Sequence, residues 1–429
     1  MKKNYFFSIL CAAIFFSSCS ISKKLNRSAN EDILHSEGFV NAHTGISIYE
    51  PAIGKYWYNY QAEKYFTPAS NTKLGMCFAA MKYLGDSLVG IKYDELNDST
   101  VVIKGMADPS FLHSDYTNNP VFNFLKKYKS IKIVHSDFED YLGNGWSWGD
   151  YMEDYMAQRS SFPIYGNTLK ISWNNDGSLN FMPSYFKNHA VVKENLSTGF
   201  QVVKPWDTND FTIKNGHSKF WEIPFNPYEN TLQELLQDTL HAQVEIIDNY
   251  SGPLNYVIHS QPTDSLLKTT MHRSDNFFAE QTLLMVSEKL LRLMSDRKII
   301  DTLLKTDYAL MPQKPSWVDG SGLSRFDLFS PKDFIFILNK MKDSFGMERI
   351  KNILPTGGTG TITSYYKRDS GYIFVKTGTL NGVVALSGFL YTKKNKLLIF
   401  SVLVNNHRGS ATTIRKGVEK FIQHLRDQY

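Results

Sequence analysis

Apolar side chains recur at helical spacing in several separated stretches. From Ser70 the positions Leu74, Cys77, Phe78, Met81 and Leu84 fall on one helical stripe, with Pro68 just ahead of the start and Gly85 at the stop. The same spacing returns over Ser265–Met271 and Phe277–Met294, and again from Pro331 to Lys342, while Ala411–Arg426 reads as a closing amphipathic helix. Strand-like segments rich in aromatic and β-branched residues lie at Gly45–Tyr49 and Lys55–Tyr60 near the front, and at Tyr372–Lys376, Val383–Thr392 and Leu397–Asn406 near the end. Between Asp86 and Tyr250 the texture changes to short strand-like pieces such as Val101–Gly105, Ile131–Val134 and Phe211–Ile213, punctuated by Gly, Pro, Asn and Asp. A helix is expected near the exit of this stretch, at Leu232–Leu240. The pattern predicts an α+β fold in which two front strands and three back strands complete one antiparallel sheet packed with helices. The middle of the chain stays outside that sheet as a mostly β insertion. The boundaries that follow are a body of residues 37–86 plus 251–429 and an inserted domain at 87–250.

The beginning of the chain has a different pattern. Lys2 and Lys3 precede an apolar stretch from Tyr5 to Phe16, followed by Ser17, Ser18 and Cys19, so residues 1–19 read as an export signal and 20–36 as a polar tether. Phe16-Ser17-Ser18-Cys19 resembles a bacterial lipobox, with Phe16 where that pattern usually has Leu. On that resemblance Cys19 is lipidated, and the expected location is the periplasm, held to a membrane by the lipid; the alternative is a cleaved secretory signal with an incidental cysteine. Cys11 leaves with the signal and Cys77 falls on an apolar helical position, so no structural disulfide is expected. With 429 residues, 42% of them hydrophobic, the chain can bury a large core in two or three domains. A formal charge of +5, two units of it from Lys2 and Lys3, is too weak a bias to imply a nucleic-acid partner.

Candidate chemistry begins at Ser70-Asn71-Thr72-Lys73. A hydroxyl and an amine three residues apart at the first turn of a helix share one face, which suits a serine activated by a lysine. The spacing alone is cheap, because Ser-x-x-Lys also occurs at Ser20, Ser184, Ser265, Ser295 and Ser364. Its bland alternative is a helix cap. Two further strings lie downstream: Ser274-Asp275-Asn276 just before a helix, and Lys376-Thr377-Gly378-Thr379 at the end of an apolar strand. Each is weak by itself.

As an ordered set, these strings match the Ser-x-x-Lys, Ser-Asp-Asn, Lys-Thr-Gly series of penicillin-binding proteins and serine β-lactamases. With Pro68-Ala69 before Ser70, Ala279-Glu280 after the second string, Leu380 and Gly382 after the third, and Asp319-Gly320-Ser321-Gly322-Leu323-Ser324-Arg325 between them, the chain resembles the D-Ala-D-Ala carboxypeptidases and endopeptidases often called peptidase family S13. Gly105–Pro109 and Gly145–Trp148 also resemble segments of that family. The resemblance runs from about residue 40 to 407. It implies a β-lactamase/transpeptidase-like domain that hydrolyses peptidoglycan stem peptides without a metal or cofactor and is acylated by β-lactam antibiotics. It further implies Ser70 as nucleophile and Lys73 as its base, with burial and the charge of Lys376 lowering the Lys73 pKa. Ser274 would relay a proton to the leaving amine and Asn276 would orient Lys73 and the substrate amide. Lys376, Thr377 and Thr379 would grip a substrate carboxylate, Gly378 would allow close approach of the substrate backbone, and the N–H groups of Ser70 and Thr379 would hold the oxyanion.

Two departures from the family stand out. Asp327 occupies a position where Asn is common, and the insertion is shorter than in members with two nested extra domains. Rival readings are a serine β-lactamase, a catalytically silent cell-wall-binding lipoprotein and an esterase using the same serine and lysine. Glu348-Arg349-Ile350-Lys351-Asn352 superficially resembles a lactamase deacylation element but lies too close to Lys376, where it reads as a helix end.

Overall fold

The computed structural model describes residues 22–174, 176–193, 201–214 and 220–429. The described chain begins in a helix, α1 (22–29), which runs into a π-helical stretch at Asn30–Leu34. The segment expected as a polar tether is therefore folded from residue 22. The reason is burial: Leu25, Ala29 and Ile33 share one face and sit in the same apolar cluster as Ile414, Val418 and Phe421 near the C-terminus. Strands β1 (His43–Glu50) and β2 (Lys55–Tyr60) follow, then helix α2 (Lys73–Tyr83). Every residue of α2 from Lys73 to Met81 is buried, which explains why its sequence is apolar nearly all round. It stops where the pattern requires, with Gly85 at φ +74° just past Leu84.

The insertion carries β3 (Ser87–Asn97), β4 (Thr100–Gly105), α3 (Pro120–Leu125), β5 (Ser130–Val134), β6 (Thr168–Trp173), β7 (Leu179–Met182), β8 (Ala190–Lys193), β9 (Gln201–Val203), β10 (Phe211–Lys214), β11 (Phe220–Pro224), α4 (Glu229–Leu240), β12 (Gln243–Ile247) and β13 (Tyr256–Pro262). Its main sheet has the order β12-β5-β4-β3-β13, with two three-stranded sheets, β11-β6-β7 and β8-β10-β9, beside it. Because β13 pairs with β3 in this sheet, the excursion ends near residue 262 and not at 250. The two joints lie side by side: Thr263 N–H donates to Asp86 O at 2.9 Å.

The chain then returns through helices α5 (Thr263–Arg273), α6 (Asn276–Leu291), α7 (Asp296–Lys305) and α8 (Pro331–Ile353), the last broken at Gly346. Helix α7 carries no motif and was not expected from the pattern, although Ser295 caps it by accepting from Lys298 N at 3.2 Å. Strands β14 (Ile373–Leu380), β15 (Val383–Tyr391) and β16 (Leu397–Asn405) and helix α9 (Ala411–Gln428) complete the chain. Front and back strands join in one antiparallel sheet of order β14-β15-β16-β1-β2, as the sequence pattern predicts. Residues Val383–Leu390 of β15 are all buried, because helices cover both faces of the sheet. One face packs on α2 and α8 through Phe389, Ile399 and Leu403, and the other on α9 through Val384, Phe400 and Val402.

Candidate active site

The nucleophile segment is built under local strain. Residues Ala69–Thr72 form a single 3-10 turn feeding α2, and Ala69 stands at φ +48°, a left-handed conformation costly for a residue with a Cβ. The surroundings hold it there. Asn71 Nδ2 donates to Ser387 Oγ at 2.7 Å, which donates in turn to Ser401 Oγ at 2.8 Å, a buried polar rung tying the turn to β15 and β16. From above, a Cβ on Gly322 would lie 2.0 Å from Ala69 O, so only glycine permits the 319–325 loop to back onto the turn. Gly378 plays a similar part from β14: its Cβ would meet Pro68 O at 2.6 Å and Ser70 N at 3.1 Å. The nucleophile turn by itself therefore requires glycine at this position of β14.

Three separated strings converge on this turn. Lys73 Nζ donates to Ser70 Oγ at 2.9 Å, to Asn276 Oδ1 at 2.7 Å and to Ser321 O at 2.6 Å. Ser274, Asp275 and Asn276 form the tight junction between α5 and α6. Ser274 ends α5 at φ +62°, Asp275 caps α6 by accepting from Phe278 N at 2.9 Å, and Asn276 is the first helical residue. Asn276 Nδ2 also donates to Tyr155 O at 3.0 Å, a carbonyl of the insertion. Lys376 Nζ donates to Ser274 Oγ at 2.8 Å and to Thr377 O at 2.7 Å.

Both lysines are fully buried. Burial lowers the Lys73 pKa to about 8, even though Asp319, Glu280, Asp275 and Asp327 all favour its charge. Lys376 falls well below the ordinary lysine value, through burial first and then repulsion from Lys73. Burial is the largest cause of the fall at both lysines.

Beneath Lys73 lies a layer of buried acids that the sequence reading did not assign. Asp319 accepts from Gly322 N at 2.6 Å, Ser324 N at 2.7 Å and Trp146 Nε1 at 2.9 Å, which explains why an aspartate begins the glycine-rich string. Glu280 accepts from Ser321 N at 2.7 Å; burial and the neighbouring Asp319 push its pKa up to about 7 against the pull of Arg159. Arg159, from the insertion and almost fully buried, donates to Asp296 and, at 3.4 Å, to Glu280. Glu280 stands one helical turn after Asn276, a spacing that could have marked it. Arg159 has no signal in the sequence.

The cleft above Ser70 has a volume of about 810 Å³. Ser70, Ser274, Asn276, Thr377 and Thr379 line it, Asp150 and Tyr155 close one side from the insertion, and Arg325 and Arg415 bring cations to the other. Lys73 and Lys376 sit below its floor. Every expected site residue from Ser70 to Thr379 is therefore drawn to one place, while Cys19 lies outside the described residues. Among the other Ser-x-x-Lys pairs, Ser295 has the bland role of a helix cap.

Comparison with known proteins agrees with this geometry. Residues 27–425 match the profile of the D-Ala-D-Ala carboxypeptidase 3 (S13) family. The chain is 23% identical to a penicillin-sensitive carboxypeptidase A of Dictyostelium discoideum over 87% of its own length and 85% of that protein. It is 26% identical to a D-alanyl-D-alanine carboxypeptidase of Haemophilus influenzae, over 72% of each chain. Among solved structures, penicillin-binding protein 4 of Haemophilus influenzae superposes with a TM-score of 0.74 at 19% identity, covering 94% of this chain and 98% of that one. A predatory peptidoglycan endopeptidase of Bdellovibrio bacteriovorus superposes at 0.56 and 13% identity, covering 90% and 93%. The described residues contain no helix long and apolar enough to cross a membrane. With nearly its whole length matched, the chain belongs to the D-Ala-D-Ala carboxypeptidase 3 (S13) family.

Proposed function

We propose that the protein is a serine D-Ala-D-Ala carboxypeptidase or endopeptidase that cleaves peptidoglycan stem peptides through an acyl-enzyme on Ser70. The observation that carries this reading is the contact of Ser70 Oγ with Lys73 Nζ at 2.9 Å, beneath a cleft that also holds Ser274, Asn276 and Thr379. In its neutral form Lys73 takes the Ser70 proton as Oγ attacks the carbonyl between two D-alanines. Negative charge collects on that carbonyl oxygen, for which the N–H groups of Ser70 and Thr379 are the donors. The proton passes from Lys73 by way of Ser274 to the departing amine, and Asn276 holds Lys73 in line. Water then cleaves the ester and restores Ser70. With a β-lactam the ring amide is attacked in the same way, and the leaving nitrogen stays tethered to the acyl group.

The catalytic unit is the front segment up to residue 86 together with the chain from 263 onward. Export and a lipid anchor at Cys19 complete the reading, supported by the Lys-rich start, the apolar stretch and the small residues before Cys19.

A fluorescent penicillin should label the wild-type protein covalently, and a model pentapeptide ending in D-Ala-D-Ala should lose one D-alanine. Ser70→Ala should abolish labelling and slow release by about 10³-fold or more. Labelling that survives the substitution removes Ser70 from its role. Fast turnover of a chromogenic cephalosporin without D-alanine release would instead favour a β-lactamase.

A further inference from the structure

The ends of the cleft differ in charge. Asp150 lies on the side of the insertion, whereas Arg325 and Arg415 lie towards the end of β14. A substrate cut between two D-alanines has a carboxylate one carbon beyond the departing nitrogen, and that carboxylate needs a cation. Lys376 is badly placed to supply one. It is buried, two of its N–H groups go to Ser274 Oγ and Thr377 O, and it is not among the residues that line the cleft. Thr377 Oγ1 donates to Thr361 Oγ1 at 2.8 Å. Arg325 Nη2 donates to Asn381 O at 3.1 Å.

Arg415 has a different position. It projects from the first turns of α9, half-buried, and its Nη2 donates to Thr379 Oγ1 at 2.8 Å, next to the amide expected to hold the oxyanion. A guanidinium has five N–H groups in a planar fork suited to a carboxylate, and it keeps its charge at any working pH. The bond to Thr379 fixes the fork beside the reacting carbonyl, so the group is oriented before substrate arrives.

We infer that Arg415 is the residue that reads the free carboxylate of the leaving amino acid, with the Thr377 and Thr379 hydroxyls beside it. This deepens the D-Ala-D-Ala reading above and rests on it. It also selects among cross-links. A leaving amine on a carbon that bears a carboxylate meets the guanidinium, whereas a leaving amine at the end of a plain alkyl chain leaves it facing nothing.

The test compares two acyl-D-alanyl thioesters, one with a thioglycolate leaving group and one with its methyl ester, each rate being divided by its rate of hydrolysis by hydroxide because the ester is the better leaving group. Wild type should prefer the carboxylate form by about 100-fold in kcat/KM, chiefly through KM. Arg415→Gln should collapse that preference to within a few-fold of unity, and Arg415→Lys should restore part of it. A ratio that stays at the wild-type value in Arg415→Gln overturns the inference even if both rates fall, because a merely structural role slows both substrates alike. A ratio lost in Arg325→Gln but kept in Arg415→Gln overturns it as well. Failure of wild type to hydrolyse either thioester would count against the enzymatic reading itself, a result distinct from loss of discrimination. Thermal melting of each variant separates unfolding from loss of recognition.

Discussion

The body and the insertion contribute to one site in unlike ways. The body, in two pieces of chain, supplies the groups to which the proposed mechanism gives substrate contact and proton transfer: Ser70, Lys73, Ser274, Asn276, Thr377 and Thr379. The insertion supplies walls and counter-charge. Tyr155 O receives Asn276, Trp146 Nε1 donates to Asp319, and Arg159 reaches through to Glu280 and Asp296. Gln281 of α6 joins the two regions again, donating to Ala107 O at 3.0 Å and Ser160 O at 2.8 Å and accepting from Ser160 N at 3.0 Å. The proposed reacting groups therefore come from one region, while part of the hydrogen bonding and counter-charge around the acids beneath them comes from the other.

The severest way to break this comparison is to remove the cation that the insertion buries in the body. Burial opposes the charge of Arg159, but Asp296 and Glu280 outweigh it and hold the guanidinium pKa above its ordinary value. Arg159→Leu keeps the bulk and leaves two buried carboxyl groups without their partner. Loss of one partner from a buried ionic cluster costs about 3–5 kcal/mol. Urea unfolding should show a loss of that size together with weaker penicillin acylation. A change below about 0.5 kcal/mol would mean that the insertion rides on the body without supporting it.

The same contrast explains what could be read in the sequence. The five strands of the body sheet and helices α2, α5, α6, α8 and α9 follow from apolar spacing, because each buries a stripe or face whose period survives in the chain. Two of the strings mark a special local backbone, a strained turn at Ala69 and a helix junction at Ser274, whereas Lys376 lies in mid-strand of β14 and its string was legible through its place in the ordered set. Arg159 and Arg415 gave no such signal, since each acts through side-chain reach from an ordinary segment. The exit of the insertion was misplaced for a related reason. Strand β13 is mostly exposed or half-exposed, so its pattern, Tyr256-Val257-Ile258-His259, does not reveal which sheet it joins.

A smaller effect sharpens the electrostatic half of the comparison. With the Lys73 pKa at about 8, roughly a tenth of molecules have the neutral amine at pH 7 and about half at pH 8. The base is the deprotonated form, so acylation should rise with pH, gaining about tenfold from pH 7 to a plateau near pH 9. Stopped-flow acylation rates at several pH values measure the midpoint. Glu280 favours the charged form of Lys73. Glu280→Gln should therefore move the midpoint below 8. A midpoint that stays in place would show that the acid layer does not control the base.

The smallest effect concerns Asp327, the aspartate that stands where Asn is common in the family. It is fully buried, its Oδ1 accepts from Val318 N at 2.7 Å, and its Oδ2 has no partner apart from the neighbouring Asp319 carboxyl. Burial first, then Asp319, raises its pKa well above the usual carboxyl range. The folded protein therefore keeps a proton on Asp327 that the unfolded chain releases near pH 4. As pH climbs from about 4 towards the raised folded value, the unfolded state binds fewer protons than the folded one and stability declines; below both values the term vanishes. Asp327→Asn replaces the protonated acid with a permanent donor of the same shape, and so removes that slope. The variant should match wild type near pH 4 and gain about 1 kcal/mol on it by pH 5. Thermal melts across that range decide the matter: parallel curves for the two proteins would mean that Asp327 stays ionised beside Asp319, and the buried layer under Lys73 would then carry one more negative charge than the geometry accommodates.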